Sequence, residues 1–307
     1  MKISIIVPSC GRPKILENCL KSLKKIEPIE ETIETIAVIN DDNPANINQY
    51  TKIINKYRKD LNIKSLIFQK RIGSVRARNE GIKKAEGKLI FFFDDDIKIL
   101  PDYFKKILPL FKGKVGAVGG AEIKKKSSIL HNIWFSIRKI RSITNDGDVV
   151  SNFFYDPQSK EVFEVDHLHG SNFGIKREVL KKVKGFDKNF YGVYRDETDF
   201  IYRIRKAGYK ILFLPSTGVI HKQTVKGGNV PPKEKKKWAY WYHRNNSYFF
   251  FKNVYTGNFF YFLLFLFREF FYSILKAIVY RNAYFIIQYP KIIEGYQLAK
   301  NRKFKKK

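Results

Sequence analysis

The chain contains, at residues 89–96, the sequence LIFFFDDD, in which five apolar residues run directly into three aspartates. An uninterrupted apolar run of this length is typical of a strand buried on both faces. Side chains alternate along an extended segment, so Asp94 and Asp96 point to one side and Asp95 to the other. Clustered carboxylates are tolerated when they are well solvated or when a cation lies among them. The stretch therefore predicts either a solvated strand end or a Mg²⁺ or Mn²⁺ site.

Strands and helices alternate on both sides of this stretch in the first half of the chain. The predicted strands lie at residues 3–8, 35–39, 64–68 and 88–93, and the predicted helices at 13–23, 47–57 and 75–85. This alternation predicts an α/β fold with a mixed, mostly parallel sheet flanked by helices. Ligands bind at the carboxyl ends of strands in such sheets. We therefore expect the strand ends at 8–9, 41–42 and 94–96 to meet in one crevice.

The middle of the chain has a less regular pattern. It predicts strands at 115–120, 162–169 and 211–214 and short helices at 177–184 and 197–207. Gly208 is a suitable residue to follow the end of the second helix. Pro215 is expected to end the last strand.

The composition is strongly basic, with 59 Lys and Arg residues against 29 Asp and Glu residues and a net charge of +30. A surplus of this size predicts an anionic partner, either nucleic acid, anionic lipid or a phosphorylated substrate. The two cysteines, Cys10 and Cys19, have no metal-site spacing and suggest a reducing compartment. Neither a secretory signal nor an apolar run of roughly 18 residues is visible. These features predict a cytoplasmic location.

The C-terminal region is rich in aromatic residues and lysine. Between Phe267 and Tyr280, a helix would place its polar residues on one face and its apolar residues on the other. The tail at 300–307 is basic. Amphipathic helices beside such a tail predict binding to an anionic membrane surface, here the inner face of the cell membrane. Truncation after about Lys237 is then expected to give a more soluble protein. The alternative is a helix packed on the α/β part of the chain, followed by a solvated tail.

Two further segments have the character of anion or nucleotide sites. Residues 69–81 form a basic, glycine-containing turn that leads into a helix, which is suited to phosphate or is simply an exposed basic helix. Asp41 or Asp42, at a strand end, is placed to accept hydrogen bonds from a base or ribose. The alternative for this pair is a turn before Pro44.

Acidic residues and histidines in the middle of the chain are candidates for chemistry. Asp196 and Glu197 open a predicted helix, where the helix dipole favours carboxylates in any case. A carboxylate held near others can also have a raised pKa and act as a general base. His221 follows a predicted strand and is a candidate for metal or phosphate contact. His167 and His169 would share one strand face, and we place them as candidates for a substrate cleft.

Seven segments in this order resemble motifs of the inverting family-two glycosyltransferases, which have the A-type (GT-A) fold. The segments lie at 5–13, 40–43, 73–81, 93–96, 170–172, 196–199 and 221. The resemblance covers about residues 3–222 and continues more weakly through Arg244 and Asn245. Gly11 stands where the family often has Asn, and Asp196-Glu197 replaces the commoner Glu-Asp.

The resemblance implies a nucleotide-diphosphate sugar donor, a saccharide or lipid-linked acceptor and a divalent cation, Mg²⁺ or Mn²⁺. Glu197 would be the base by position, with Asp196 as its competitor. Asp94, Asp96 and His221 would bind the metal. The substrate-binding positions would be Pro8, Ser9, Arg12, Asp41, Asp42, Gly73, Arg76, Asp94, Asp95, His169, Gly170, Ser171 and Asn172.

The extent of this resemblance and the change in composition after it divide the chain. Residues 1–225 would form the GT-A catalytic domain, with a nucleotide-binding half at 1–113 and an acceptor-binding half at 114–225. Residues 226–307 would form a helical region that associates with the membrane. The alternatives are a sugar nucleotidyltransferase, or a non-catalytic basic protein that binds membrane or nucleic acid. We expect no specific nucleic acid, because no nucleic-acid-binding motif is present.

Overall fold

Four parallel strands form one half of the central sheet. The computed structural model describes residues 1–124, 142–149, 153–192, 194–221 and 235–304. The strands β1 (Lys2–Ser9), β2 (Thr32–Asn40), β3 (Ile63–Phe68) and β4 (Leu89–Phe93) lie in the order β3-β2-β1-β4. The helices α1 (Pro13–Leu23), α2 (Pro44–Tyr57) and α3 (Ser74–Lys84) connect them. All five residues of β4 are buried, as its apolar sequence predicts.

The second half extends this sheet with strands of both directions. It contains β5 (Ile97–Ile99), β6 (Val115–Lys124), β7 (Phe163–Glu164), β8 (Asn172–Lys176) and β9 (Lys210–His221), with helices α4 (Tyr103–Ile107), α5 (Leu180–Val183) and α6 (Asp196–Lys206). The order continues β4-β8-β6-β9-β5, and β7 pairs with β9. β8 is antiparallel to both β4 and β6, whereas β6 and β9 are parallel. The predicted mixed, mostly parallel sheet is confirmed.

Pro215 does not end the last strand, and that prediction is wrong. β9 continues to His221, and its pairing with β6 shifts from Gly120 opposite Leu214 to Ala121 opposite Gly218. Proline lacks an N–H donor, and such an irregularity removes the need for one. The predicted strand at 162–169 is also too long, because only Phe163–Glu164 is paired. The short strands β5 and β8 had no counterpart in the sequence prediction.

Four helices follow the sheet in the part of the chain that the structure describes. They are α7 (Lys235–Phe249), which continues into a π-helical turn at Phe250–Val254, α8 (Phe259–Val279), α9 (Tyr284–Ile287) and α10 (Ile292–Phe304). Tyr248, Phe249 and Phe265 belong to the same buried cluster as Ile6 and Phe92 of the sheet. Helices α7, α8 and α10 therefore share one apolar core with the sheet, whereas Phe285 of α9 belongs to a separate buried cluster. The predicted boundary between residues 225 and 226 lies outside the described residues.

The long helix α8 has its polar face towards the protein and much of its apolar surface towards solvent. Glu269 and Ser273 are 1% exposed, whereas the large apolar side chains of the outer surface are strongly exposed. Those exposed between 63% and 72% are Phe259, Phe260, Phe267, Ile278 and Val279. Among the helices that the structure describes, none combines the length and apolar character needed to cross a bilayer.

Candidate active site

A cleft opens at the carboxyl ends of β1 and β4 and extends to the start of α6. Most of the residues selected from the sequence line this cleft. They are Pro8, Ser9, Arg12, Asp94, Asp95, Asp96, His169, Gly170, Ser171, Asp196, Glu197 and His221. The parallel pairing of β1 with β4 brings Pro8, Ser9 and Arg12 next to the three aspartates. The antiparallel strand β8 brings His169, Gly170 and Ser171, which precede it, to the same edge of the sheet. The strand ends at 8–9 and 94–96 therefore meet in this cleft as expected, whereas residues 41–42, the third expected strand end, are not among its lining residues.

The middle aspartate of the acidic run is held by the loop after β1. Asp95 is 1% exposed, accepts a hydrogen bond from Ser9 Oγ at 2.5 Å and forms an ion pair with Arg12. Burial raises the pKa of Asp95 to about 6, although Arg12 opposes the shift. These contacts join the two loops that form this side of the cleft.

The outer two aspartates and His221 form a group with the spacing of a metal site. One ligand atom from each lies within 4.8 Å of the others, and Asp96 Oδ1 is 3.2 Å from His221 Nε2. Ligand atoms around an octahedral ion are about 3 to 4.2 Å apart, given bonds of about 2.1 Å. Two carboxylate oxygens and an imidazole suit Mn²⁺ or Mg²⁺. A small side-chain adjustment would complete the geometry, so these residues fit a divalent cation.

Glu122, on β6, orients the histidine of this group. His221 Nδ1 donates a hydrogen bond to Glu122 Oε1 at 2.5 Å, which directs Nε2 towards Asp96. The other carboxylate oxygen, Glu122 Oε2, is 3.1 Å from His169 Nε2. Burial lowers the pKa of His221, but Asp96 and Glu122 more than offset this and raise it to about 10. A carboxylate that holds the second nitrogen of a metal-binding histidine is a common arrangement in metalloproteins.

Arg78 connects the metal group to the acidic pair on α6. Its Nη2 donates to Asp94 Oδ1 at 2.8 Å, and its Nη1 donates to Asp196 Oδ2 at 2.9 Å. The arginine is 5% exposed and also approaches the carbonyl oxygen of Gly170. The buried positive charge allows two carboxylates from distant parts of the chain to face one cleft.

Glu197 has the environment expected of a general base. Burial raises its pKa well above the ordinary value, and the neighbouring charge of Asp196 raises it further. Gly170 gives the side chain room, because a methyl group at that position would lie 3.2 Å from Glu197 Cγ. Asp196, in contrast, is already engaged by Arg78. The arrangement leaves Glu197 as the carboxylate better suited to accept a proton.

Two predicted nucleotide-binding aspartates have structural contacts. Asp41 is fully buried and accepts hydrogen bonds from the backbone N–H groups of Gly11 at 2.7 Å and Asn43 at 3.0 Å. It thereby joins the loop after β1 to the turn after β2. Asp42 is exposed and pairs with Arg71 at 3.1 Å. Both lie beside the cleft loops, and neither is among its lining residues.

Four other predicted residues also lie outside the cleft lining. Gly73 precedes α3 with φ of +78°, and Arg76 is exposed on that helix. Asn172 is buried, where its Oδ1 accepts a hydrogen bond from the backbone N–H of Gly120 at 2.9 Å. His167, the partner of His169 in the predicted strand, is 4% exposed and contacts the ring of Phe153.

Sequence reasoning missed Arg78 and Glu122. Arg76 and Arg78 are two positions apart on a helix, so they point in nearly opposite directions, and only the packing of α3 decides which one enters the cleft. Glu122 gave no signal, because a single glutamate at the end of a strand is ordinary. The direct pairing of β6 with β9, which places Glu122 opposite Val219 and near His221, was not predicted.

A family model described as "Glycosyl transferase family 2" matches residues 4–184 of the chain. Among curated proteins, the chain is 22% identical over 212 residues to the GalNAc(5)-diNAcBac-PP-undecaprenol beta-1,3-glucosyltransferase of Campylobacter jejuni, which covers 66% of this chain and 62% of that protein. It is 34% identical over 107 residues to the poly(ribitol-phosphate) beta-N-acetylglucosaminyltransferase TarS of Staphylococcus aureus, which covers 34% of this chain and 17% of that protein. The matches thus span less than two thirds of either relative.

Two solved glycosyltransferases share the fold. The structure of S. aureus TarS 1-349 in complex with UDP-GlcNAc superposes with a TM-score of 0.61 at 19% identity and covers 96% of this chain and 82% of that one. The mannosyltransferase PcManGT from Pyrobaculum calidifontis, in complex with GDP-Man and Mn²⁺, superposes with a TM-score of 0.59 at 17% identity. The match covers 97% of this chain and 73% of that one. These likenesses confirm the predicted fold class.

Proposed function

Because this chain belongs to glycosyl transferase family 2, we propose that it transfers a sugar, with inversion, from a nucleotide-diphosphate sugar to an acceptor hydroxyl. The observation that carries the proposal is the bridge made by Arg78 between Asp94 and Asp196. It places a group suited to a cation and a diphosphate next to a pair of carboxylates suited to acid–base chemistry. In-line transfer needs these two parts on either side of the reacting carbon.

For the donor side, we propose that Asp94, Asp96 and His221 hold Mg²⁺ or Mn²⁺ and that the loop at 8–12 contacts the nucleotide. A bound divalent cation would stabilise the negative charge of the departing nucleotide diphosphate. Arg12, which is partly buried, and Arg78, which is buried, would add positive charge beside the same leaving group. Asp41 would shape the base-binding side by fixing the backbone of Gly11.

For the acceptor side, we propose Glu197 as the base. The carboxylate would remove the proton from the acceptor hydroxyl while the hydroxyl oxygen forms a bond to the anomeric carbon. The bond between that carbon and the phosphate oxygen would break at the same time, so that the nucleotide diphosphate leaves. Asp196 would hold Arg78 and keep the pKa of Glu197 raised by its charge. His169, Gly170 and Ser171 would line the acceptor side of the cleft.

We further propose that the enzyme works at the cytoplasmic face of the membrane on a lipid-linked or saccharide acceptor. Two features support this: the exposed apolar surface of α8 and the net charge of +30. Aromatic side chains in a basic surrounding favour an anionic lipid interface. The Campylobacter relative is named for an undecaprenol-linked acceptor, which agrees with such a location.

A panel of UDP- and GDP-sugars with Mn²⁺ tests the catalytic proposal. We expect a metal-dependent rise in unfolding temperature with one class of donor, and release of the nucleotide diphosphate on turnover. Asp96→Asn is expected to abolish the metal-dependent part of the shift. If no nucleotide sugar shifts the unfolding temperature in the presence of Mn²⁺, the proposed activity is wrong.

A further inference from the structure

The two carboxylates of α6 follow a backbone segment in an unfavourable conformation. Tyr194 and Arg195 have φ angles of +76° and +69°, although neither is glycine. Consecutive left-handed residues with large side chains persist only when surrounding contacts hold them. Because Asp196 is the next residue, the direction in which α6 presents Asp196 and Glu197 depends on this turn.

Helix α7 provides those contacts through three consecutive residues. Arg244 Nη1 donates to the carbonyl oxygen of Asn189 at 2.8 Å, and Asn245 Nδ2 donates to that of Tyr194 at 3.2 Å. Asn246 Oδ1 accepts a hydrogen bond from Arg195 Nε at 2.6 Å. The turn before the candidate base is therefore fixed from a helix that lies about fifty residues later in the chain.

Asn246 is itself fixed from α8. Its Nδ2 donates to Glu269 Oε2 at 3.3 Å, and Glu269 is 1% exposed and paired with Arg268 at 3.1 Å. The amide of Asn246 thus faces a donor with its oxygen and an acceptor with its nitrogen, and the opposite orientation would mismatch both. Arg195, Asn246 and Glu269 form one chain of hydrogen bonds, and Arg195 at its end directly precedes Asp196 in the sequence.

We propose that Asn246, oriented by Glu269, is a positioning residue that fixes Arg195 and through it the carboxylate of Glu197. The inference rests on the proposed function, because it takes Glu197 as the base. It gives the C-terminal helices a part in the chemistry, in addition to any contact with lipid.

Asn246→Ala tests the link directly. We expect kcat to fall by roughly 10- to 100-fold, because a small displacement of a reacting group has effects of this size, while the KM for the donor changes little. Hydrogen exchange in the segment at 189–195 should become faster, and exchange in β1 and β4 should stay as in the wild type. Asn301→Ala, at an exposed position of α10, is the matched control.

A pair of compensating substitutions separates positioning from simple loss of packing. Asn246→Asp keeps the acceptor for Arg195 but places a carboxylate against Glu269, so we expect a loss of kcat. Adding Glu269→Gln places an amide donor opposite the new carboxylate, and the pair of positions then carries the same single negative charge as in the wild type. The double variant should therefore recover most of the activity. If the double variant is no better than Asn246→Asp alone, or if Asn246→Ala has wild-type kcat, the inference is wrong.

The two proposals fail in different ways. Absence of turnover in the wild type with every donor contradicts the proposed function. In that case the exchange measurement still decides the positioning role, because unchanged exchange at 189–195 in Asn246→Ala contradicts it.

Discussion

At the scale of single residues, the cleft uses two buried charged groups that each serve two partners. Arg78 pairs with Asp94 and Asp196, and Glu122 lies against His169 and His221. A buried charge with two partners is costly to isolate, since removing either partner leaves an uncompensated charge. Conservative amide substitutions are therefore better tests of this cleft than truncation to alanine.

Glu197→Gln is expected to lower kcat by about 10²- to 10⁴-fold, because an amide cannot accept the proton of the acceptor hydroxyl. The free energy of unfolding of this variant should be higher than that of the wild type near neutral pH. Burial raises the pKa of the folded carboxyl above 4.5, so ionisation favours the unfolded chain as the pH increases. The gain should vanish below pH 4.5, where the carboxyl is protonated in both states.

Donor turnover and thermal unfolding at acid and neutral pH measure both effects. Asp196→Asn is the informative comparison. An active Glu197→Gln enzyme together with an inactive Asp196→Asn enzyme would reverse the assignment of the base.

Glu122→Gln should weaken Mn²⁺ binding by about 10- to 100-fold, because the carboxylate that orients His221 becomes a neutral amide. Electron paramagnetic resonance of free Mn²⁺ measures this without any substrate. Glu164→Gln, at an exposed salt bridge with Lys210, provides the control. Unchanged Mn²⁺ affinity in Glu122→Gln would show that His221 does not depend on this contact for metal binding.

At the scale of elements, the sequence predicted the parallel half of the sheet well and the mixed half less well. Residues 3–93 alternate long apolar strands with amphipathic helices, and each predicted element is present. β8 was missed because it has only five residues and contains Gly174, where a side chain would collide with the ring of Phe91. Pro215 was read as a strand end because local preference cannot reveal a shift in pairing.

For the candidate site, too, part of the arrangement could be predicted from the sequence and part depended on packing. Asp94, Asp96 and His221 lie at the ends of strands that meet at one edge of the sheet, and Glu197, at the start of α6, lines the same cleft. The choice between Arg76 and Arg78 depended on how α3 rotates against the sheet. No periodicity in the sequence specifies that rotation.

Truncation after Lys237 is expected to unfold the protein, contrary to the expectation drawn from the amphipathic pattern alone. Such a truncation removes Tyr248, Phe249 and Phe265, which are fully buried in the main apolar cluster. Loss of even one large core side chain costs about 3 to 5 kcal/mol, and a typical domain has only about 5 to 15. Circular dichroism and thermal unfolding should show loss of the cooperative transition. Truncation after Phe304, which removes only three lysines, should leave the transition in place.

At the scale of the whole molecule, one surface differs from the rest. The outer face of α8 exposes several large aromatic and aliphatic side chains next to one another in a chain with 59 basic residues. Soluble monomers rarely present apolar patches of this kind without a partner. The patch lies on the opposite side of α8 from Glu269, so lipid contact and support of the cleft would use different faces of one helix.

Phe267→Ser combined with Ile278→Ser should reduce binding to vesicles that contain phosphatidylglycerol by at least about 10-fold. The two side chains are 72% and 68% exposed, and burying each fully in lipid is worth about 1.5 to 3 kcal/mol. Vesicle sedimentation measures this, and binding of the wild type should weaken as salt screens the anionic surface. Ile67→Ser, at a partly exposed site on β3, is the control. Unchanged vesicle binding, with a loss of self-association instead, would identify the face as a dimer surface.

The shared core of sheet and C-terminal helices also bears on how the protein is made. Its cluster joins Ile6 to Ala299, so the core closes only when nearly all of the described chain has left the ribosome. About fifty residues separate Tyr248 from Ala299, which at ordinary synthesis rates is about 3 to 10 s. During that time the finished strands keep aromatic surface open to water. Folding is therefore expected to finish after translation, and nascent chains of this protein should depend on chaperones more than an isolated α/β domain would.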